Sequence, residues 1–241
     1  MSVRHVARRA VQRVGLDVQR FPRSAPLFQV VRLMNRQGVT CVIDVGANIG
    51  QYASELRRLG FRNSILSLEP LRAEFQVLEQ RCAKDRSWTC QRFAVGGEPG
   101  EATINVAGNS VSSSLAPMLS RHVRAAPESR FVRTEEVRVT TIDDLAAAHK
   151  LELATTFLKV DTQGFERHVL AGATNALERL AGAQLELSLV PLYEDDLQLS
   201  SAIELMEALG LRLAAILPGF TDPVTSETLQ CDGVFLRHTD Q

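Results

Sequence analysis

Asp44, Glu69 and Asp161 each close a short apolar run, and Glu186 alternates into another. Carboxylates so placed can accept hydrogen bonds from a ligand's hydroxyl or amino groups, or take a proton from a reacting hydroxyl. Asp44 opens the turn Asp44-Val45-Gly46-Ala47-Asn48-Ile49-Gly50. Glycines at such a turn let the backbone bend sharply and come close to a ligand. Asn48 stands where a nucleotide-binding turn often has Gly, and Asn tolerates the positive φ required there. Asp44 would repel a pyrophosphate and welcome the amino group of a methionine moiety. Glu69, in Leu68-Glu69-Pro70, follows an apolar run about 20 residues past the turn, the place from which a carboxylate accepts both hydroxyls of a ribose. Turn and carboxylate, in this order, point to an adenosine ligand.

The second half of the chain supplies candidates for the reaction itself. Asp161, in Lys159-Val160-Asp161-Thr162-Gln163-Gly164-Phe165-Glu166, should face the same crevice as Asp44. It is a candidate substrate-binding carboxylate or general base, or it caps the following helix or touches cofactor only. As a base it needs burial to raise an ordinarily low Asp pKa. Lys159 either neutralises a neighbouring carboxylate or snorkels to an edge. Glu166 falls in the first turn of a helix, where it offsets the helix dipole or contacts substrate. His168, two residues on, faces elsewhere and is expected at the surface. Glu186 would be costly to bury unpaired within its apolar strand, which argues for a site role. His122 is the remaining candidate base. Ser113 and Ser114 are candidates to hydrogen-bond cofactor or substrate, or else simply keep a loop solvated.

These residues need elements to hold them. Strands are expected at 41–45, 64–68, 88–95, 102–106, 137–141, 155–160, 184–190, 212–217 and 234–237, and helices at 27–35, 50–59, 71–83, 165–180 and 200–209. Strand and helix in turn, with continuous apolar strands, imply a doubly wound α/β parallel sheet covered on both faces. In such sheets ligands bind outside the carboxyl ends of the strands, where the strand order switches. Residues 108–136, serine-rich and weakly periodic, read as a long insertion, either a lid or a mobile surface loop. Residues 1–38 read as a basic helical appendage to a domain at 39–241. Arg4, Arg8, Arg9, Arg13, Arg20 and Arg23 share its first part with apolar residues near helical spacing. That helix either packs on the domain or touches an anionic membrane surface.

The 241 residues carry a formal net charge of -1, and aromatics make up 5%, so no basic, aromatic-interleaved nucleic-acid surface is expected. Cys41, Cys82, Cys90 and Cys231 are scattered without metal-ligand spacing, so neither zinc nor disulfides are expected and a cytoplasmic setting is. No apolar run approaches the length of a spanning helix.

Val42 to Gly50, Leu68-Glu69-Pro70, Val137 to Leu145 and Phe157 to Glu166 together resemble the FkbM family of methyltransferases. Phe93-Ala94-Val95-Gly96, Ser112-Ser113-Ser114-Leu115 and Cys231-Asp232-Gly233-Val234-Phe235 are similar to it as well. The resemblance implies a Rossmann-like class I methyltransferase fold, seven-stranded and mostly parallel, with the last strand antiparallel. It implies methyl transfer from S-adenosylmethionine to a hydroxyl of a sugar, glycolipid or natural product. Asp44, Gly46, Asn48, Gly50, Glu69, Pro70, Ala94 and Asp161 then become the expected cofactor contacts. Asp161, Glu186 and His122 become the catalytic candidates, and Ser113, Ser114 and Glu166 the substrate contacts. Gln163 stands where many members carry an acidic residue, and no metal is expected. An NAD-dependent oxidoreductase, or a binding module without turnover, are the competing readings, and the oligomeric state is open.

Overall fold

Three strands are buried along nearly their whole length: Cys41–Val45 (β1), Ser64–Leu68 (β2) and Thr156–Val160 (β7). Each reads as a continuous apolar run because both of its faces are covered. β1 lies between the other two and pairs with both in parallel. The computed structural model, which describes residues 25–238, adds four strands to this centre. They are Trp88–Gln91 (β3), Gly182–Ser188 (β8), Leu211–Pro218 (β9) and Gln230–Arg237 (β10). The order is β3-β2-β1-β7-β8-β10-β9, and β10 runs antiparallel to both neighbours. The chain leaves β1 for β2 on one side and returns to β7 on the other, so the strand order switches between β1 and β7.

Helices cover the two faces. Pro26–Arg36 (α1), Gln51–Arg58 (α2) and Arg72–Cys82 (α3) pack through Val30, Met34, Leu56 and Leu78 against Val42, Ile65 and Phe157. Ile142–His149 (α5), Glu166–Ala171 (α6), Thr174–Leu177 (α7) and Leu199–Ala208 (α8) pack against the opposite side chains of the same strands, including Ile43, Leu158 and Leu185. Side chains of a strand alternate between faces. Asp44 and Lys159 therefore share the face of α1 to α3, and they sit opposite one another in register.

Several boundaries differ from the sequence expectation. α1 inserts Val30, Val31 and Met34 into the core, so residues 25–38 are an integral wall of the domain rather than an appendage. The helix expected from residues 3 to 20 lies outside the described residues. The helix expected at 165–180 is broken at Gly172, where the carboxylate of Asp143 caps α7 by accepting from the backbone N–H groups of Asn175 and Ala176. α5 lies where the sequence predicts no helix; Thr141 caps it, its hydroxyl accepting from the N–H of Asp144.

The insertion is the largest departure. Gly100–Ala107 (β5) and Phe131–Thr140 (β6) form an antiparallel pair, and Ala94–Val95 (β4) adds to β6 in a separate three-stranded sheet. The expected strand 88–95 is thereby split between two sheets. Ser120–Ala125 (α4) lies within the excursion, and Ser114 bridges back to Asn105 through two backbone hydrogen bonds. Much of 108–136 is thus hydrogen-bonded structure. Arg133 and Glu135 keep one end of β6 at the surface, which hides its period from a search for apolar alternation.

Among the described residues no helix is long and apolar enough to cross a membrane. The four cysteines are free thiols.

Candidate functional site

A cavity of about 660 Å³ opens at the carboxyl ends of β1, β2 and β7, a size typical of ligand sites. Its position follows from register. One rung of the sheet carries Ser67, Asp44, Lys159 and Gln184 side by side on β2, β1, β7 and β8. Two residues further along the same face stand Glu186 on β8 and, opposite it on β10, Asp232. Period-two alternation thus makes a polar row at the floor and one wall of the cavity.

Asp44 is the buried end of that row, 0% exposed. Trp88 Nε1 donates to Ser67 Oγ at 2.9 Å, and Ser67 Oγ donates to Asp44 Oδ2 at 3.0 Å. Its Oδ1 accepts no hydrogen bond and lies 3.6 Å from the Lys159 ammonium. Burial raises the Asp44 pKa, opposed by Lys159 and the Ser67 hydroxyl. Asp44 does not line the cavity, so its geometry is that of an anchor for Lys159 rather than a direct ligand contact. Lys159 does not snorkel: it is 5% exposed and its Nζ also lies 3.2 Å from Asp161 Oδ2. Burial alone would lower its pKa, but Asp161, Asp44 and Asp232 outweigh that and hold the ammonium charged.

The glycine turn is built as its sequence requires. Gly46 takes φ +73°, Asn48 +49° and Gly50 +86°. The N–H groups of Gly46 and Ala47 both bond the carbonyl of Leu68, which ties the turn to the end of β2. Glu69 then clamps it, one carboxylate oxygen accepting from Asn48 N at 2.7 Å and the other from Leu71 N at 2.9 Å. Asn48 also donates from its amide to Ser110 Oγ at 3.4 Å, joining the turn to the excursion. Gly46, Asn48, Glu69, Pro70 and Ala94 line the cavity, while Gly50 shapes the turn from behind it.

Burial raises the Glu69 carboxyl from 4.5 to about 7, against the pull of the Leu71 and Asn48 N–H groups. Native Glu69 therefore keeps a proton that the unfolded chain has released between those values. Its contribution to stability is fully present below about pH 4.5 and is lost as the pH rises through about 7. A shift of this size corresponds to roughly 3 kcal/mol. Thermal unfolding of the unliganded protein should show Tm falling between about pH 5 and pH 8, with the fall shallower in Glu69→Gln. An identical slope in the variant would remove Glu69 from the account.

Asp161 is 35% exposed in its side chain and ion-paired to Lys159. Gln163 Nε2 bridges the two carboxylates of this wall, donating to Asp161 Oδ1 at 2.9 Å and Glu186 Oε2 at 2.7 Å. Gln230 Nε2 donates to the same Glu186 oxygen at 3.1 Å. Tyr193 OH donates to Gln163 Oε1 at 3.1 Å, which fixes the orientation of the bridging amide. Burial, then the charges of Asp161, Glu166 and Asp232, push the Glu186 pKa well up, with Lys159 opposing. Asp232 is raised to about 6 by burial first and by Asp161 next.

His122 projects from α4 and lines the cavity, 3% exposed, with its ring against Tyr193 and Phe220. Burial lowers its pKa, and its Nδ1 has no hydrogen-bond partner. Ser113 and Ser114 line the cavity, yet their hydroxyls already serve the loop. Ser113 accepts from Ala107 N, and Ser114 accepts from Ala116 N and donates to Thr162 O. Glu166 does not line the cavity; it is buried and accepts from Thr162 N, Thr162 Oγ1 and Gly164 N, bracing the loop after β7. His168 is exposed, stacked on Phe165. Gln163, Gln184, Gln230 and Asp232 carry no role in the sequence reading. Only the pairing of β10 with β8, invisible in one sequence, brings Asp232 and Gln230 to Glu186.

The family model described as the methyltransferase FkbM domain matches residues 44–213. No curated protein matches the chain in sequence. Among solved structures, a TehB-like S-adenosylmethionine-dependent methyltransferase from Corynebacterium glutamicum is 14% identical, with 98% of this chain and 97% of that one covered and a TM-score of 0.40. An rRNA methylase from Streptococcus thermophilus is 9% identical, with 93% and 100% covered and a TM-score of 0.47. A putative S-adenosylmethionine-dependent methyltransferase from Listeria monocytogenes is 7% identical, with 90% and 100% covered and a TM-score of 0.45.

Proposed function

Because the chain belongs to the FkbM methyltransferase family, with its class I fold and S-adenosylmethionine as cofactor, we propose that it methylates a hydroxyl of a sugar, glycolipid or natural-product acceptor. The observation that carries this reading is Glu186. It lies on the cavity wall, its pKa is pushed well up, and both neighbouring amides bond the same oxygen, which leaves Oε1 to meet an acceptor hydroxyl.

The residues present fit the cofactor. Glu69 is locked by two backbone N–H groups with lone pairs to spare for the ribose hydroxyls. Pro70, Leu71 and Phe93 to Val95 offer an apolar wall for the base. Asp161, half-buried and beside Lys159, is the carboxylate available to the amino group. S-adenosylmethionine, when bound, supplies an electrophilic methyl group.

The protein's own part is to align the acceptor oxygen and to take its proton. In-line displacement at carbon gains most from alignment. Glu186 Oε1 receives the hydroxyl proton as the new oxygen–carbon bond forms, and a carboxylate whose pKa is pushed up is the stronger base for that task. Neutral His122 stands ready to hydrogen-bond a further acceptor hydroxyl. We place the acceptor among small molecules or glycolipids rather than nucleic acids, in a cytoplasmic setting.

The test uses the protein with methyl-labelled S-adenosylmethionine and an extract of the native host, followed by tandem mass spectrometry of labelled products. Label in a methyl ether supports the reading. Label on nitrogen, sulfur or carbon overturns it.

A further inference from the structure

The charge of the cavity wall around Glu186 and Asp232 restricts which acceptor can enter. Glu55, Glu69, Glu128, Asp161, Glu186 and Asp232 all line it. Among the described residues the one lysine or arginine lining it is Lys159. That ammonium is already held by Asp44 at 3.6 Å and Asp161 at 3.2 Å, and Lys159 is 5% exposed. The other basic side chain on the wall, His122, is kept neutral by burial.

A bound cofactor engages part of this acid: Glu69 would face the ribose and Asp161 the amino group. Glu186 and Asp232, opposite one another in register, are left for the acceptor. Around them the wall is set with uncharged hydrogen-bonding groups. Gln184 and Gln230 present side-chain amides, and the Nδ1 of His122 is buried without a partner. Carboxylates beside amides and a neutral imidazole suit hydroxyl and amine groups. They offer nothing to a phosphate, sulfate or carboxylate, whose recognition calls for guanidinium, ammonium or clustered N–H donors. Like charges brought together in a desolvated site are strongly disfavoured. The raised pKa of Asp232, partly the work of Asp161, shows that the wall already resists one more negative charge.

We infer that the acceptor enters this cavity as a hydroxyl-rich unit without any anionic group, met by Glu186, Asp232, the amides of Gln184 and Gln230, and His122. This rests on hydroxyl methylation as the reaction and adds the charge class of the unit that is methylated. An RNA acceptor, with phosphodiesters flanking every ribose, falls outside it.

The same host-extract labelling decides the point when tandem mass spectrometry fragments the labelled product down to the unit bearing the new methyl. A neutral or amine-bearing unit is the expected result. The phosphorylated or uronic acid analogue of that unit should then be used at least about 100-fold less well in kcat/KM, since two pKa-sized electrostatic penalties amount to that factor. A methylated unit that itself carries phosphate, sulfate or carboxylate overturns the inference while leaving hydroxyl methylation intact. Label on an atom other than oxygen, or no label at all, overturns the hydroxyl reading and this inference with it.

Discussion

Gly46→Ala is expected to abolish binding of S-adenosylmethionine and to destabilise the protein, because the added methyl group has nowhere to go. At Gly46 the backbone has φ +73°, and a Cβ built there would lie 1.9 Å from the carbonyl oxygen of Asp161 and 3.0 Å from its carbonyl carbon. The obstacle is main chain, at the point where β1 and β7 end together. The N–H of Asp161 is bonded to the carbonyl of Val45 beside it, and the N–H of Gly46 to the carbonyl of Leu68. Neither side can retreat without breaking the junction that places Glu69 and Asp161. Left-handed backbone alone costs a non-glycine residue about 1–2 kcal/mol. The overlap adds to that, and the cofactor turn moves with it. Calorimetry should show at least a 100-fold loss of cofactor affinity, on the order of 3 kcal/mol. Gly60→Ala serves as the control. Gly60 has φ +100° with nothing within 4 Å of its would-be Cβ, so that variant should lose stability and keep cofactor affinity. Equal cofactor affinity in Gly46→Ala and wild type would show that the turn does not grip the cofactor.

Glu186→Gln should cut kcat by roughly 10²–10⁴, the usual contribution of a positioned general base. The substitution keeps the shape of the side chain and one oxygen to accept from Gln163 and Gln230. Cofactor affinity should therefore stay within about threefold, since general-base work is separate from uniform binding. The pH profile distinguishes this from a packing defect. In the wild type kcat rises as Glu186 loses its proton, and that acid limb should vanish in the variant. If kcat stays within about fivefold of wild type with the limb intact, the proton goes elsewhere. His122→Phe, which keeps the ring between Tyr193 and Phe220, then becomes the variant to measure.

What the sequence made legible was local. The strands around Asp44, Glu69 and Asp161 are short apolar runs bounded by turn residues, and their ends place the turn and the ribose carboxylate. What stayed illegible depends on partners far along the chain. Sequence alone leaves Lys159 open between a neighbouring carboxylate and an edge; its register with Asp44 decides for the counter-charge in the interior. The break at Gly172 follows from Asp143, about 30 residues away, capping α7. β6 was missed in part because a strand on a small outer sheet keeps charged side chains along much of its length. The pairing of Asp232 with Glu186 required knowing that β10 inserts antiparallel beside β8. The resemblance implies an antiparallel last strand, but not which residues of β8 it faces.

Trp88 is the one tryptophan of the chain, and its indole N–H is joined through Ser67 to Asp44, next to Lys159. The intrinsic fluorescence of the protein therefore originates beneath the cofactor turn, in a buried ring two hydrogen bonds from the charged row. Its emission maximum and quantum yield become an optical readout of that row, needing no dye or label. Stopped-flow mixing with S-adenosylmethionine, or a simple pH titration, can be followed through this single indole under tryptophan-selective excitation.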